Sequence, residues 1–211
     1  MTTRTKTGEG VVFVVDDDAS VLRSLERLLR LHGIAHRAYD SPSKFLDEWN
    51  AAVPGCVLLD LSFPDVSGLE IQQRLMAAGG SQPVIFLTGR GTVDASVRAM
   101  KAGAADFLEK PFDNDTVLAA IQGAFELDRR RRARRSSTDA ITGRLASLTP
   151  REKEVLRYVI AGRLNKQIAA RLGTAVKTVK VHRARVMHKM SVRSVAELTQ
   201  MTIAVGIQPE P

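Results

Sequence analysis

Three carboxylates stand in a row, Asp16, Asp17 and Asp18, directly after the apolar run 11–15, "VVFVV". A fourth, Asp60, ends the apolar segment "CVLLD" (56–60). The hydroxyl of Thr88 ends "PVIFLT" (83–88), and Lys110 follows "ADFLE" (105–109). Each polar group sits where an apolar segment stops. Gathered on one rim, the acids would repel one another and raise one another's pKa values. A divalent hard cation removes that difficulty, because Mg²⁺ accepts a few carboxylates, keeps waters and takes phosphate oxygens. A carboxylate held beside Mg²⁺ and a lysine can attack a phosphoryl group, whose charge lysine and metal neutralise in transfer. Taken singly, Asp16 and Asp17 would serve as acids at a helix N-terminus, and Thr88 as a β-former. Their occurrence with Asp60 and Lys110 favours the metal site. Asp18 lies where the next helix begins and reads as its cap. Asp65 and Asp106 read as ordinary loop and strand-start acids.

The segments that must position these groups alternate. Short β-branched or apolar runs at 11–15, 34–39, 56–61, 83–88 and 105–112 read as strands. The run at 34–39 is the weakest and reads as an edge. Amphipathic stretches at 18–33, 41–51, 67–79, 92–103 and 113–135 read as helices, several with capping residues or a closing glycine. Five strand–helix units with near-continuous apolar strands imply an α/β, doubly wound, five-stranded parallel sheet covered on both faces. Such sheets bind ligands beyond the carboxyl ends of their strands, where the strand order reverses.

Charge divides the chain. Residues 1–128 carry a net −6 and residues 129–211 a net +14. An acidic first part and a strongly basic second part imply two domains and a polyanionic partner for the second. No apolar run is long enough to cross a bilayer, and "MTTRTKTGEG" lacks the apolar core of a signal peptide. Cys56, the single cysteine, excludes an intrachain disulfide and reads as a small buried hydrophobe. The expectation is a soluble cytoplasmic protein. Residues 134–149, rich in Ser, Thr and Gly without a clean apolar period, read as a linker. Four helical patterns follow at 150–161, 165–172, 175–190 and 194–205. In the third, Val179, His182, Val186 and Met190 form a core-facing stripe. Lys177, Lys180, Val181, Ala184 and Arg185 fall largely elsewhere. A helix with one apolar face and one basic face of short side chains can lie in a DNA major groove, where Lys and Arg contact phosphates or guanine edges.

"FVVDDDASV", "VLLDLSFPDVSGLE", "VIFLTGRG" and "ADFLEKPF" together resemble the receiver domain of bacterial response regulators, over roughly the first 125 residues. The resemblance implies that Asp60 accepts a phosphoryl group from a sensor kinase phosphohistidine. It implies that Asp17 holds Mg²⁺ directly, Asp16 through water, and that the backbone carbonyl of Ser62 adds a ligand. Thr88 would bond the phosphoryl group, Lys110 would pair with it, and Phe107 would turn inward on activation. The Lys110–Pro111 bond would be cis. Phe63 stands where methionine is common, and Ser62 and Gly89 occupy positions that tune phosphate lifetime in the family.

"LTPREKEVL", "NKQIAARL" and "KTVKVHRARVMHKM" resemble the DNA-binding domain of the LuxR/FixJ/NarL class across about sixty residues. The implied fold is an all-α, four-helix helix-turn-helix domain with its recognition helix at 175–190. Lys180, Val181 and Ala184 match the base-reading face. Asn165 and Lys166 match backbone-contacting positions, and Lys177, Thr178, His182, Arg183 and Arg185 complete the expected DNA-binding set. Ala175 replaces the usual serine cap; either Thr174 substitutes or the cap is weaker by about 1 kcal/mol. Expected boundaries are a receiver at 9–127, a helical extension and linker at 128–147 and the DNA-binding domain at 148–206. The run 129–135, "RRRRARR", reads as a solvated helix face rather than a DNA contact.

The two resemblances imply a regulator, not an enzyme. Its cofactor would be Mg²⁺. Its partners would be double-stranded DNA, a cognate sensor histidine kinase and a second copy of the chain on phosphorylation, with the dimer face at about 92–108; RNA polymerase is admitted as a further partner, and no membrane is expected. The alternative is a LuxR-type regulator working without phosphate. A haloacid-dehalogenase-type phosphatase would need a second Asp two residues after Asp60, where Ser62 stands. A small-molecule sensor would need an aromatic-rich pocket, and aromatics are only 5% of the chain.

Overall fold

The computed structural model describes residues 10–89 and 103–210. The helix expected over 92–103, and with it most of the expected dimer face, lies outside the described residues. The chain divides into two compact units, with the division between Arg132 and Ala133.

The first unit runs β1 (Val11–Val15), α1 (Ala19–Leu31), β2 (His36–Tyr39), α2 (Pro42–Glu48), β3 (Gly55–Asp60), α3 (Gly68–Ala77), β4 (Val84–Thr88) and β5 (Asp106–Glu109). The next helix, α4 (Asn114–Ala146), starts in this unit. All strand pairs are parallel, in the order β2-β1-β3-β4-β5. β2 is one edge, as its weak apolar pattern suggests, and β5 is the other. The order reverses between β1 and β3, so the crevice for a ligand opens at their carboxyl ends. Alternate residues of the central strands feed two cores. Val12, Val14, Leu58, Ile85 and Leu87 pack with Leu25, Leu28 and Leu29 of α1 and with Val117, Ile121 and Phe125 of α4. Phe13, Val15, Val57, Leu59 and Phe86 pack with Phe45 of α2 and Ile71 and Leu75 of α3. Both sheet faces are therefore closed to water, the condition for a parallel sheet.

α4 departs from the expected linker. The stretch 134–146 continues as helix, and Ile141 and Leu145 join the core of the second unit, ahead of its expected start at 148. Between Phe125 and Ile141 no apolar side chain of α4 is buried, so hydrophobic periodicity had nothing to register. Charge pairs one turn apart support the helix instead: Glu126 pairs with Arg129 and Arg130, and Asp128 with Arg132.

In the second unit, α5 (Pro150–Ile160), α6 (Asn165–Arg171), α7 (Val176–Lys189) and α8 (Val195–Ala204) follow. They bury Leu148, Val155, Leu156, Val159, Ile168, Val179, Val186, Met190 and Leu198 around one core. Three residues of the expected stripe on α7, Val179, Val186 and Met190, are fully buried; His182 is half-buried. Thr149 caps α5 in a reciprocal box with Glu152. Glu152 also accepts a 2.6 Å bond from Lys189 at the end of α7, and its side chain is almost wholly out of solvent. No side chain caps α7, so Thr174 does not take the place of the missing serine.

The Lys189 bond holds the Glu152 carboxyl below the usual glutamate range, helped by the Thr149 backbone N–H. A depressed folded-state pKa contributes stability above the unfolded value of about 4.3, and that contribution is lost as pH falls through the folded value. Glu152→Gln is therefore expected to destabilise the second unit by about 1–3 kcal/mol near pH 7. The deficit should shrink as pH is lowered below about 4. Native-state hydrogen exchange at the Val179 and Val186 amides measures it; a deficit independent of pH would assign the effect to packing.

Candidate functional site

β1, β3 and β5 deliver three side chains to one point. Val15 pairs with Leu59, so Asp16 and Asp60 leave the sheet side by side at the crevice. Thr88 pairs with Glu109, and the Lys110 backbone N–H continues the ladder to the Thr88 carbonyl at 2.6 Å. From there the long Lys110 side chain reaches across β4. Its Nζ lies 2.6 Å from Asp16 Oδ2 and 2.8 Å from Asp60 Oδ1. The remaining carboxylate oxygens take backbone donors: Asp16 Oδ1 accepts from the Asp18 N–H at 3.0 Å, and Asp60 Oδ2 from the Ser62 N–H at 2.9 Å. Asp16 is 0% exposed and Asp60 5%. The Lys110–Pro111 bond is cis.

Burial pushes the Asp16 carboxyl above the usual aspartate range, and the Lys110 hydrogen bond only partly offsets this. For Lys110, burial pulls downward, but the hydrogen bonds to Asp16 and Asp60 outweigh it and hold the ammonium charged. Two carboxylates facing one ammonium leave the crevice one negative charge in excess. Asp17 stands exposed beside it and adds another. All the acidic donors are oxygens, which suits a hard cation such as Mg²⁺. Among the described residues no group of three or more His, Cys, Asp or Glu is already set around a single point. Lys110 fills the place between Asp16 and Asp60.

The other expected residues divide. Asp18 is the cap of α1: its side chain accepts from the Ser20 N–H at 2.7 Å and from the Ser20 hydroxyl at 2.6 Å, which holds its carboxyl below the usual range. Thr88 is buried in the crevice, with its hydroxyl donated to the Gly89 carbonyl at 2.7 Å. Phe107 is half-buried and packs against the core that contains Phe45 and Phe86. Ser62 is exposed in the short loop after Asp60, which an isolated bridge from Ser62 to Ser67 closes.

Gly68 was not singled out from its residue type. It is the first residue of α3, and its N–H donates to the Leu61 carbonyl at 2.9 Å. A Cβ there would lie 2.4 Å from the Asp60 carbonyl oxygen and 3.0 Å from Leu61 Cα. Only glycine lets the helix start abut the strand end that carries Asp60. The signal in the sequence was the box Ser67-x-x-Glu70 that surrounds it.

On the second unit, Lys177, Lys180, Val181, Ala184 and Arg185 form one exposed stripe at i, i+3, i+4, i+7 and i+8 of α7. Val181 is 44% exposed, which is unusual for a valine on a helix with a well-filled core face. Thr178 and, at the start of α6, Lys166 are exposed as well. Arg183 and Asn165 are brought together instead: the guanidinium donates to Asn165 Oδ1 at 3.2 Å and ties α7 to the start of α6. His182 keeps Nδ1 out of solvent without a hydrogen-bond partner among the described residues.

Comparison with known proteins agrees with both halves. Residues 12–122 match the response regulator receiver domain, and residues 146–202 match the bacterial regulatory proteins of the luxR family. The response regulator protein TodT of Pseudomonas putida is 39% identical over 192 residues, covering 91% of this chain and 85% of that protein. The transcriptional regulatory protein FixJ of Azorhizobium caulinodans is 41% identical over 201 residues, 94% of each. The solved structure of the response regulator StyR matches with a TM-score of 0.81 at 44% identity, over 92% of this chain and 98% of that one. An acidic crevice at the switch point of a five-stranded parallel sheet, followed by a basic helix-turn-helix unit, thus places this chain among the two-component response regulators that pair a receiver domain with a LuxR-type DNA-binding domain.

Proposed function

We propose that this protein is a phosphorylation-controlled transcription regulator whose phosphoacceptor is Asp60. The observation that supports this most is Lys110 bridging Asp16 and Asp60 at the switch point. In this reading an Asp60 carboxylate oxygen attacks the phosphorus of a sensor kinase phosphohistidine. The new O–P bond forms as the N–P bond breaks, and the imidazole leaves with the bonding pair. Asp16, Asp17 and Asp60, with the Ser62 carbonyl, would hold Mg²⁺, which supplies charge neutralisation at the phosphoryl oxygens. Lys110 then exchanges its bond to Asp60 for one to the phosphoryl group. Thr88 turns its hydroxyl from the Gly89 carbonyl toward the same oxygens, and the movement is passed to Phe107. The shifted receiver population favours a dimer. Its second units read a two-fold DNA site through Lys180, Val181 and Ala184. Lys166, Lys177, Thr178, His182, Arg183, Arg185 and Asn165 meet the phosphates or hold the helix that reads the bases.

Asp60→Ala is expected to abolish incorporation of phosphate from acetyl phosphate in the presence of Mg²⁺. Normal labelling of that variant removes the assignment. Asp17→Ala should weaken Mg²⁺ binding by about tenfold or more. Asp18→Ala should lower stability through loss of the α1 cap and leave Mg²⁺ affinity nearly unchanged. Calorimetric titration of the two variants side by side reads the difference, and equal losses would make Asp18 part of the metal site. On DNA, Lys180→Ala should cost about 1–3 kcal/mol at a specific site and less on unrelated sequence. Equal losses on both would move Lys180 from the bases to the phosphates.

A further inference from the structure

Two members of the arginine run 129–135 turn onto backbone carbonyls of the first unit, Arg132 partly buried and Arg131 exposed. Arg132 donates from Nε to Asp128 Oδ2 at 2.7 Å, from Nη1 to the Ala52 carbonyl at 3.0 Å, and from Nη2 to the carbonyls of Ala51 at 3.1 Å and Val53 at 2.6 Å. Arg131 donates to the Ser81 carbonyl at 3.2 Å. Asp128 is 2% exposed, and its Oδ2 also accepts the backbone N–H of Gly55 at 3.0 Å. One buried carboxylate and one guanidinium thus fasten α4 to the turn that leads into β3. Gly55 itself admits no side chain: its φ is +151°, and a Cβ would lie 1.9 Å from the Val11 carbonyl oxygen.

The position of this clamp gives it a consequence. α4 packs on the sheet through Val117, Ala120, Ile121, Ala124 and Phe125. Beyond Phe125, among the described residues, its next buried apolar side chain is Ile141, in the other core. Apolar burial stops holding the helix to the first unit one turn before Arg129, and Asp128 and Arg132 take over. Gly55 opens β3, the strand that Asp60 closes about 17 Å away. β3 is paired on both sides and fully buried, so displacement at one end is not absorbed along it.

We propose that the Asp128–Arg132 clamp is the coupling element by which the first unit governs the helix leading into the DNA-binding unit, working from the end of the sheet opposite the acidic crevice. The proposal rests on the reading of Asp60 as phosphoacceptor. With the clamp intact, the state of Asp60 reaches α4 through β3 and Gly55. With Arg132 removed, the buried carboxylate loses its cation, residues 126–140 become a loose tether, and phosphorylation proceeds without being read out. Atoms that would carry the phosphoryl transfer are untouched, because they lie at the far end of the strands.

The test uses the full chain carrying Arg132→Ala, Asp128→Asn, Arg132→Lys or, as control, the exposed Arg134→Ala. Three quantities are read: labelling by acetyl phosphate, hydrogen exchange at Gly55 and at 127–136, and the gain in affinity for a specific DNA on adding acetyl phosphate. Arg132→Ala and Asp128→Asn should label like the unmodified protein and expose the Gly55 amide. Their gain should fall at least about fivefold, the low end of ordinary coupling. Arg132→Lys keeps the charge but cannot span Asp128 and three carbonyls, so it should lose the gain too; this variant serves if the alanine variant does not fold. Arg134→Ala should behave as unmodified. An unchanged gain in the position 132 variants, or an equal loss in Arg134→Ala, overturns the proposal and returns the run to a simple charge effect. If the unmodified chain is not labelled, the phosphoacceptor reading fails by itself, and exchange decides the clamp: faster Gly55 exchange in Arg132→Ala supports it, and equal exchange overturns it.

Discussion

Two buried carboxylates cannot share a rim unless a cation stands between them, and the first unit is organised around that requirement. Asp16 and Asp60 have almost no exposed surface, so water cannot screen their repulsion. Lys110 answers it, and it reaches them only if β5 runs parallel to β4 at the register that sets Glu109 beside Thr88. Register in turn is held by apolar strands buried on both faces, because a slip by one residue would send each strand's side chains into the opposite core, where their sizes do not fit. The helices supply that cover. The crevice keeps its excess negative charge because one ammonium cannot neutralise two aspartates with a third beside them.

The same economy of charge recurs where apolar contact runs out. Asp128 with Arg132 holds the start of β3, and Glu152 with Lys189 holds the start of α5 to the end of α7. Each pairs a nearly buried carboxylate with a more exposed cation and adds backbone donors to the same carboxylate. Such pairs fix geometry more than they add net stability, since desolvation offsets much of the attraction. On the exposed stripe of α7 the cations have no such partners among the described residues. That surplus leaves the second unit with a positive face of the kind that suits a polyanion.

Much of this was legible beforehand, for identifiable reasons. β1, β3 and β4 are built on uninterrupted apolar runs, and the site residues end them or follow them directly. Asp18 announced itself as a cap by standing one residue before a helical apolar pattern. The stretch 134–146 shows no helical period in sequence, because no buried apolar residue in it precedes Ile141 and the two that reach the core, Ile141 and Leu145, are too few to mark a stripe. The place of Thr174 was undecidable from type, since a hydroxyl beside a helix start caps it only if the backbone turns it inward. Gly68 and Gly55 were invisible because what they avoid is a contact with residues distant in the chain.

By itself the sequence determined which groups carry charge, where each apolar run stops, and that an acidic half precedes a basic one. These are properties of residue type and local order. Tertiary structure alone decided that Lys110 bonds Asp16 and Asp60, 94 and 50 residues away, while Asp17 faces solvent. It alone turned two arginines of a seven-residue basic run onto backbone carbonyls. The reason is the same in each case: a side chain's partner depends on its direction out of a paired strand or a docked helix, and that direction exists only once the elements have packed.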